Sequence, residues 1–164
     1  MSPMLGRIFP SRIDNSFRGH PVALWIFVPL MLVRLGMGLG SLFNARHTAI
    51  TADGIPLDSY GAAAAQMILA MFALLGLHLL VLPSLSLLAL VRYRAMIPMM
   101  YLALLVLMLA NRAVVMAYPT ESAGGGTPVG VYVNLALLAL TLAGFALSLI
   151  GKGYRTAAKL SPAS

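Results

Sequence analysis

Arg34 stands inside the apolar stretch 21–43, PVALWIFVPLMLVRLGMGLGSLF, and Arg112 inside a second such stretch, 95–117, AMIPMMYLALLVLMLANRAVVMA. A guanidinium deep in a bilayer costs about 2.5–3.5 kcal/mol on insertion scales unless something receives it. The chemistry available to such a group is anion recognition. Its charge persists, and its planar fork offers paired donors to a carboxylate or a phosphate. Gln66, Asn111 and Asn134 lie about two turns from the outer ends of their own apolar segments. The sequence therefore predicts an anion-, lipid- or partner-binding layer of Arg34, Arg112, Gln66, Asn111 and Asn134. Arg34 is the deepest member, about 14 Å from the end of its helix, and is long enough to reach toward the others.

No acid sits among these residues. The chain has four acids, Asp14, Asp53, Asp58 and Glu121, all outside the apolar segments. In one reading Asp53 or Asp58 folds down as counter-ion to Arg34 or Arg112 and locks its loop to the bundle. In another the arginines bind an anionic group from elsewhere: a lipid phosphate, a carboxylate-bearing amphiphile or an acid on a partner subunit. Simple snorkelling, chiefly by Arg112, is the third.

Other chemistry has little equipment. There is no Gly-x-Ser-x-Gly elbow, His-Glu-x-x-His motif, P-loop or dinucleotide glycine motif after a strand, and no pair of intramembrane carboxylates. His78 alone lies within an apolar segment, so a haem would need a second axial group other than histidine, such as methionine. The simpler role is a neutral hydrogen-bonding residue between helices. The 11 methionines read as adaptable packing. Cysteine is absent, which removes thiolate chemistry. No metal and no cofactor is expected beyond a bound lipid. Gly36 and Gly40, spaced small-xxx-small, are expected to let another helix approach closely.

These residues are carried by a chain of 164, of which 60% are hydrophobic and only 9% charged, with mean hydropathy +0.92. Soluble domains carry about 25% charged residues, so the class is membrane. Although the net charge is +7, the arginines sit at the ends of apolar segments and form no nucleic-acid-binding stripe. No nucleic-acid partner is expected.

The predicted organisation is a single all-α membrane domain, a four-transmembrane-helix bundle. Residues 1–20 form a basic tail, in which Ile8, Phe9, Ile13 and Phe17 could lie at the interface. They are read as retained, because the apolar run that follows is too long for a signal peptide and has no small-residue cleavage site. The first helix spans 21–43. An external loop, 44–60, carries the turn Asp53-Gly54-Ile55-Pro56. The second helix, 61–91, is longer than a normal span and is expected to kink at Pro83. After Arg92-Tyr93-Arg94 the third helix runs 95–117, with Pro98 in its first turn. A glycine-rich external loop, 118–128, precedes the fourth helix, 129–150, and a basic tail, 151–164. With the amino terminus inside, Arg7, Arg12, Arg18, Arg92, Arg94, Lys152, Arg155 and Lys159 are cytoplasmic and only Arg46 is outside. Both termini are then cytoplasmic. Trp25, Tyr60, Tyr93, Tyr118 and Tyr132 fall near the expected interfaces.

Several strings resemble a group of small uncharacterised four-helix bacterial inner-membrane proteins. They are Arg12-Ile13-Asp14-Asn15, Arg18-Gly19-His20, Ala23-Leu24-Trp25, Asp53-Gly54-Ile55-Pro56-Leu57-Asp58, Leu90-Val91-Arg92-Tyr93-Arg94, and Gly126-Thr127-Pro128 leading into Val131-Tyr132-Val133-Asn134-Leu135. The resemblance would cover most of residues 11–150 and implies a multi-pass protein of the bacterial inner membrane. It brings no activity and no catalytic residues.

The leading functional expectation is a non-catalytic accessory or assembly subunit whose helix faces contact lipids and other membrane subunits, or further copies of itself. The alternative is a binding protein or transporter for an anionic lipid or amphiphile. A lipid-modifying enzyme would have only His78, Asp53 and Asp58 as candidate bases.

Overall fold

In the computed structural model, residues 5–10, 13–118 and 127–150 are described. The glycine-rich loop with Glu121 and the basic tail with Lys152, Tyr154, Arg155 and Lys159 lie outside them, as does Arg12.

Among the described residues the structure is all helical. A short α1, Leu5–Ile8, precedes α2, Pro21–Phe43. Pro21 opens α2, where a missing N–H costs no helical bond. His20 caps it by accepting a hydrogen bond at Nδ1 from the Val22 N–H, 3.3 Å. After α2 come α3, Ala45–Thr51, and a 3-10 turn, Leu57–Ser59. The long α4, Ala62–Arg92, continues through Pro83, which leaves the Leu79 carbonyl without its usual helical donor. A 3-10 turn, Arg94–Met96, leads into α5, Ile97–Ala117, and α6 spans Val129–Leu149. Four of these segments are long and apolar enough to cross a membrane. The architecture fits a multi-pass membrane protein.

The helices are apolar on all sides, so the inward face is picked out by small and polar residues rather than by hydrophobicity. On α2 the buried stripe is Ala23, Phe27, Leu30, Met31, Arg34, Gly38 and Ser41, at steps of three and four. It packs chiefly against α4 and next against α6, and α6 packs against α5. Gly76, Pro83, Ser86 and Ala89 are the buried residues of α4, and Gly130, Leu137, Thr141, Gly144 and Ser148 those of α6.

The close crossing of α2 and α4 is made by Gly38 and Gly76. This corrects the expectation for Gly36 and Gly40. Gly36 faces open space, and a Cβ on Gly40 would have only the Thr48 hydroxyl nearby, at 3.7 Å. Gly38 lies two residues from each, about 200° around the helix. Burial of the Phe27–Arg34 face rotates Gly38 inward and the other two away.

The 44–60 segment folds over one end of the bundle. Ala49 and Leu57 are buried, and Ile55 N–H donates to the Ala49 carbonyl, 2.9 Å. The Ala52 carbonyl accepts from the Gly130 N–H at the start of α6, 2.9 Å. Gly54, at φ 66°, makes the turn that an L side chain would resist. We call this the loop end. At the other, basic end, His20 N–H donates to the Leu147 carbonyl, 3.1 Å, and Phe17 packs on the core.

Candidate functional site

Arg34 is 6% exposed, the one buried charged side chain among the described residues. Its burial follows from its place in the α2 stripe, one turn beyond Leu30 and Met31 and one turn before Gly38. Its Nε and Nη2 atoms are buried and have no hydrogen-bond partner. These two nitrogens direct their N–H groups along one edge of the guanidinium plane. That edge takes both oxygens of a carboxylate or phosphate in parallel, and such charge-assisted pairs are among the stronger polar contacts.

The loop acids do not supply those oxygens. Asp58 pairs with Arg46 of α3, Oδ1 to Nη2 2.8 Å, on the surface of the loop cap. Asp53 makes no ion pair with Arg34 or Arg112 and lies beside Gly130, whose added Cβ would come 3.4 Å from Asp53 Oδ1. Asp53 remains solvent-facing, yet desolvation by the surrounding loop raises its carboxyl above the ordinary range. The reading in which Asp53 or Asp58 locks onto Arg34 or Arg112 is thereby corrected: Asp58 is engaged by Arg46 within the cap, and Asp53 pairs with neither arginine.

The other members of the expected polar layer do not gather on Arg34. Gln66, Asn111 and Arg112 are exposed, and Asn134 folds back to donate from Nδ2 to the Gly130 carbonyl, 3.0 Å. Depth along a helix is readable from residue number; rotation about its axis is not. His78 is also on an exposed face of α4, with Nδ1 2.8 Å from the Leu74 carbonyl, the contact of an N–H donor with its own helix.

α5 meets α2 two to three turns before Arg34, through Tyr101. Tyr101, fully buried, donates its hydroxyl to the Ala23 carbonyl, 2.7 Å. Its ring meets Phe27 edge-on, centroids 4.9 Å apart at 65°. Gly144 of α6 leaves the room this ring needs. Sequence reasoning passed over Tyr101; its signal was a tyrosine one turn inside a span, where a buried O–H must find a partner.

The Tyr101 contact also fixes the level of α5 against α2. Asn111 lies ten residues beyond Tyr101, about 15 Å along α5, and Arg34 seven beyond Phe27 and eleven beyond Ala23, about 10–17 Å along α2. The packing of α5 ends at this level. Its buried residues run from Ile97 to Met108, and every residue from Leu109 to Tyr118 is exposed. Counted from the Tyr101 contact, the end of that packing falls within about one turn of the level of Arg34.

At the basic end a shallow cleft is lined by Pro10, Phe17, Arg18, Gly19, Pro98 and Ser148 among others. It holds no buried charge. Among the described residues no cluster of histidine and acidic side chains could hold a metal ion. The chain matches no protein-family model, no curated protein and no solved structure.

Proposed function

We propose that this chain is a non-catalytic integral membrane protein of a bacterial inner membrane, with both termini cytoplasmic, serving as an accessory or assembly subunit of a larger complex. The observation that carries this reading is the free outer half of α5, Leu109 to Tyr118, which includes the polar pair Asn111 and Arg112 at span depth. An amide and a guanidinium directed at lipid are costly, and polar side chains in spans normally meet another helix or one another. The distribution of the candidate bases supports a role without catalysis. His78 faces outward from α4, Asp58 is engaged with Arg46, and Asp53 lies in the loop cap beside Gly130.

Photo-crosslinkers at Ala110 and Met116, with Leu85 of α4 as control, test this in native membranes followed by mild-detergent purification. A protein adduct confined to the α5 positions and recovered stoichiometrically is expected. Lipid adducts alone would contradict it.

The unpartnered edge of Arg34 favours a second reading, a binder of an anionic amphiphile. Native mass spectrometry would then find a specific anionic lipid that is lost on Arg34→Ala.

A further inference from the structure

We propose that the Nε/Nη2 edge of Arg34 is the receptor for a carboxylate carried by the transmembrane helix of a partner subunit, docked along α5 between Leu109 and Tyr118. This rests on the subunit reading above and names the partner's chemistry.

The two unpartnered nitrogens are those of one side of the fork, and both are buried. Their complement is an oxyanion with two parallel acceptors. This chain has none to offer within the spans. Its four acids, Asp14, Asp53, Asp58 and Glu121, all lie outside the four apolar helices, so a second copy would not supply one either.

Depth separates a helix-borne carboxylate from a lipid phosphate. Arg34 is about 14 Å from the loop end of α2, close to the middle of a hydrocarbon layer roughly 30 Å thick. A phosphate headgroup would have to be drawn through most of one leaflet to reach it. A glutamate or aspartate on a helix can stand at any depth. The bundle also leaves a place for such a helix. α5 is packed as far as Met108, within about one turn of the level of Arg34 when counted from the Tyr101 contact, and free from there to the loop end. Asn111 and Arg112, on the free stretch, add polar contacts about level with the fork or one turn beyond it.

The test uses the full chain in phosphatidylcholine vesicles with labelled leucine–alanine transmembrane peptides. One peptide carries a single glutamate at the level of Arg34, one carries glutamine there, and one carries the glutamate two turns nearer the loop end. Energy transfer reports association. The level-matched glutamate peptide should bind at least about tenfold more tightly than the other two, the worth of a hydrogen bond to a charged group. The preference should vanish in Arg34→Gln, weaken in Arg34→Lys, whose ammonium lacks the fork, and survive in Arg112→Gln. In Arg34→Glu, a peptide with arginine at the same level should restore it, which separates lost recognition from lost folding. Equal binding of glutamate and glutamine peptides overturns the proposal. So does phosphatidylglycerol that abolishes the preference and stays bound to Arg34-containing protein in native mass spectrometry, because the site then belongs to a lipid phosphate. A native partner cross-linked to α5 without any depth preference overturns the carboxylate assignment and leaves the subunit reading standing; a depth preference without a native partner does the reverse.

Discussion

Gly38 of α2 and Gly76 of α4 meet backbone to backbone. A Cβ on Gly76 would come 2.8 Å from the Gly38 carbonyl oxygen, and one on Gly38 would come 3.2 Å from the Gly76 carbonyl oxygen. Backbone cannot yield as a side-chain tip does, so Gly76→Ala should separate the helices and destabilise the bundle by about 1–3 kcal/mol. Gly36→Ala, which meets open space, should stay within about 1 kcal/mol of the parent and on the stabilising side. Unfolding of both variants in the same detergent checks the pair.

Tyr101 fixes α5 against α2 through one hydroxyl and one ring face. Tyr101→Phe keeps the edge-on contact with Phe27 and loses only the bond to the Ala23 carbonyl, an expected cost of about 0.5–1.5 kcal/mol. Gly144→Ala should cost more, about 1–3 kcal/mol, because the new methyl would press on the buried ring, 2.5 Å from Cζ. An inverted order of these two losses would mean that the ring is not seated against α6.

Asp53 gives the loop cap a pH dependence of defined sign. Its carboxyl is raised above the 3.8 of a free aspartate by desolvation, so the folded chain holds the proton more tightly than the unfolded chain. The resulting stability is fully present below 3.8 and is lost as pH rises through the raised folded value. Asp53→Asn should flatten that acid-range slope and be more stable than the parent at neutral pH. Unfolding curves from acid to neutral pH measure it; an unchanged slope would remove Asp53 as its source.

The Arg46–Asp58 pair is exposed on both sides and joins two parts of the cap. Asp58→Ala should therefore change stability by less than about 1 kcal/mol and lose that effect at high salt. A larger, salt-insensitive loss would show that the pair anchors the cap to the bundle.

The helices were legible because span length and hydropathy are local properties. The first span, 21–43, coincides with α2, and the others differ at their ends by a residue or two, as where Arg94–Met96 forms a 3-10 turn ahead of α5. The face each helix turns inward was not legible. Apolar residues surround α2 on all sides, so Gly36, Gly38 and Gly40 were equivalent until packing against α4 selected Gly38. The same ambiguity placed Asn111, Arg112, Gln66 and Asn134 at suitable depths without revealing that they turn away from Arg34. Arg34 itself was legible as a costly charge. That its loop acids stay out of reach required the Arg46–Asp58 pair and the Ala52–Gly130 bond to be seen in place.

The most direct measurement is the unfolding stability of Arg34→Met in the purified, partner-free chain. Because Nε and Nη2 are buried without partners, replacement by an apolar side chain of similar length should raise stability, by about 1–4 kcal/mol if the site behaves like other buried charges exchanged for packing. A loss of about 3–5 kcal/mol, the mark of stranding a buried counter-charge, would mean that Arg34 is already paired within its own chain.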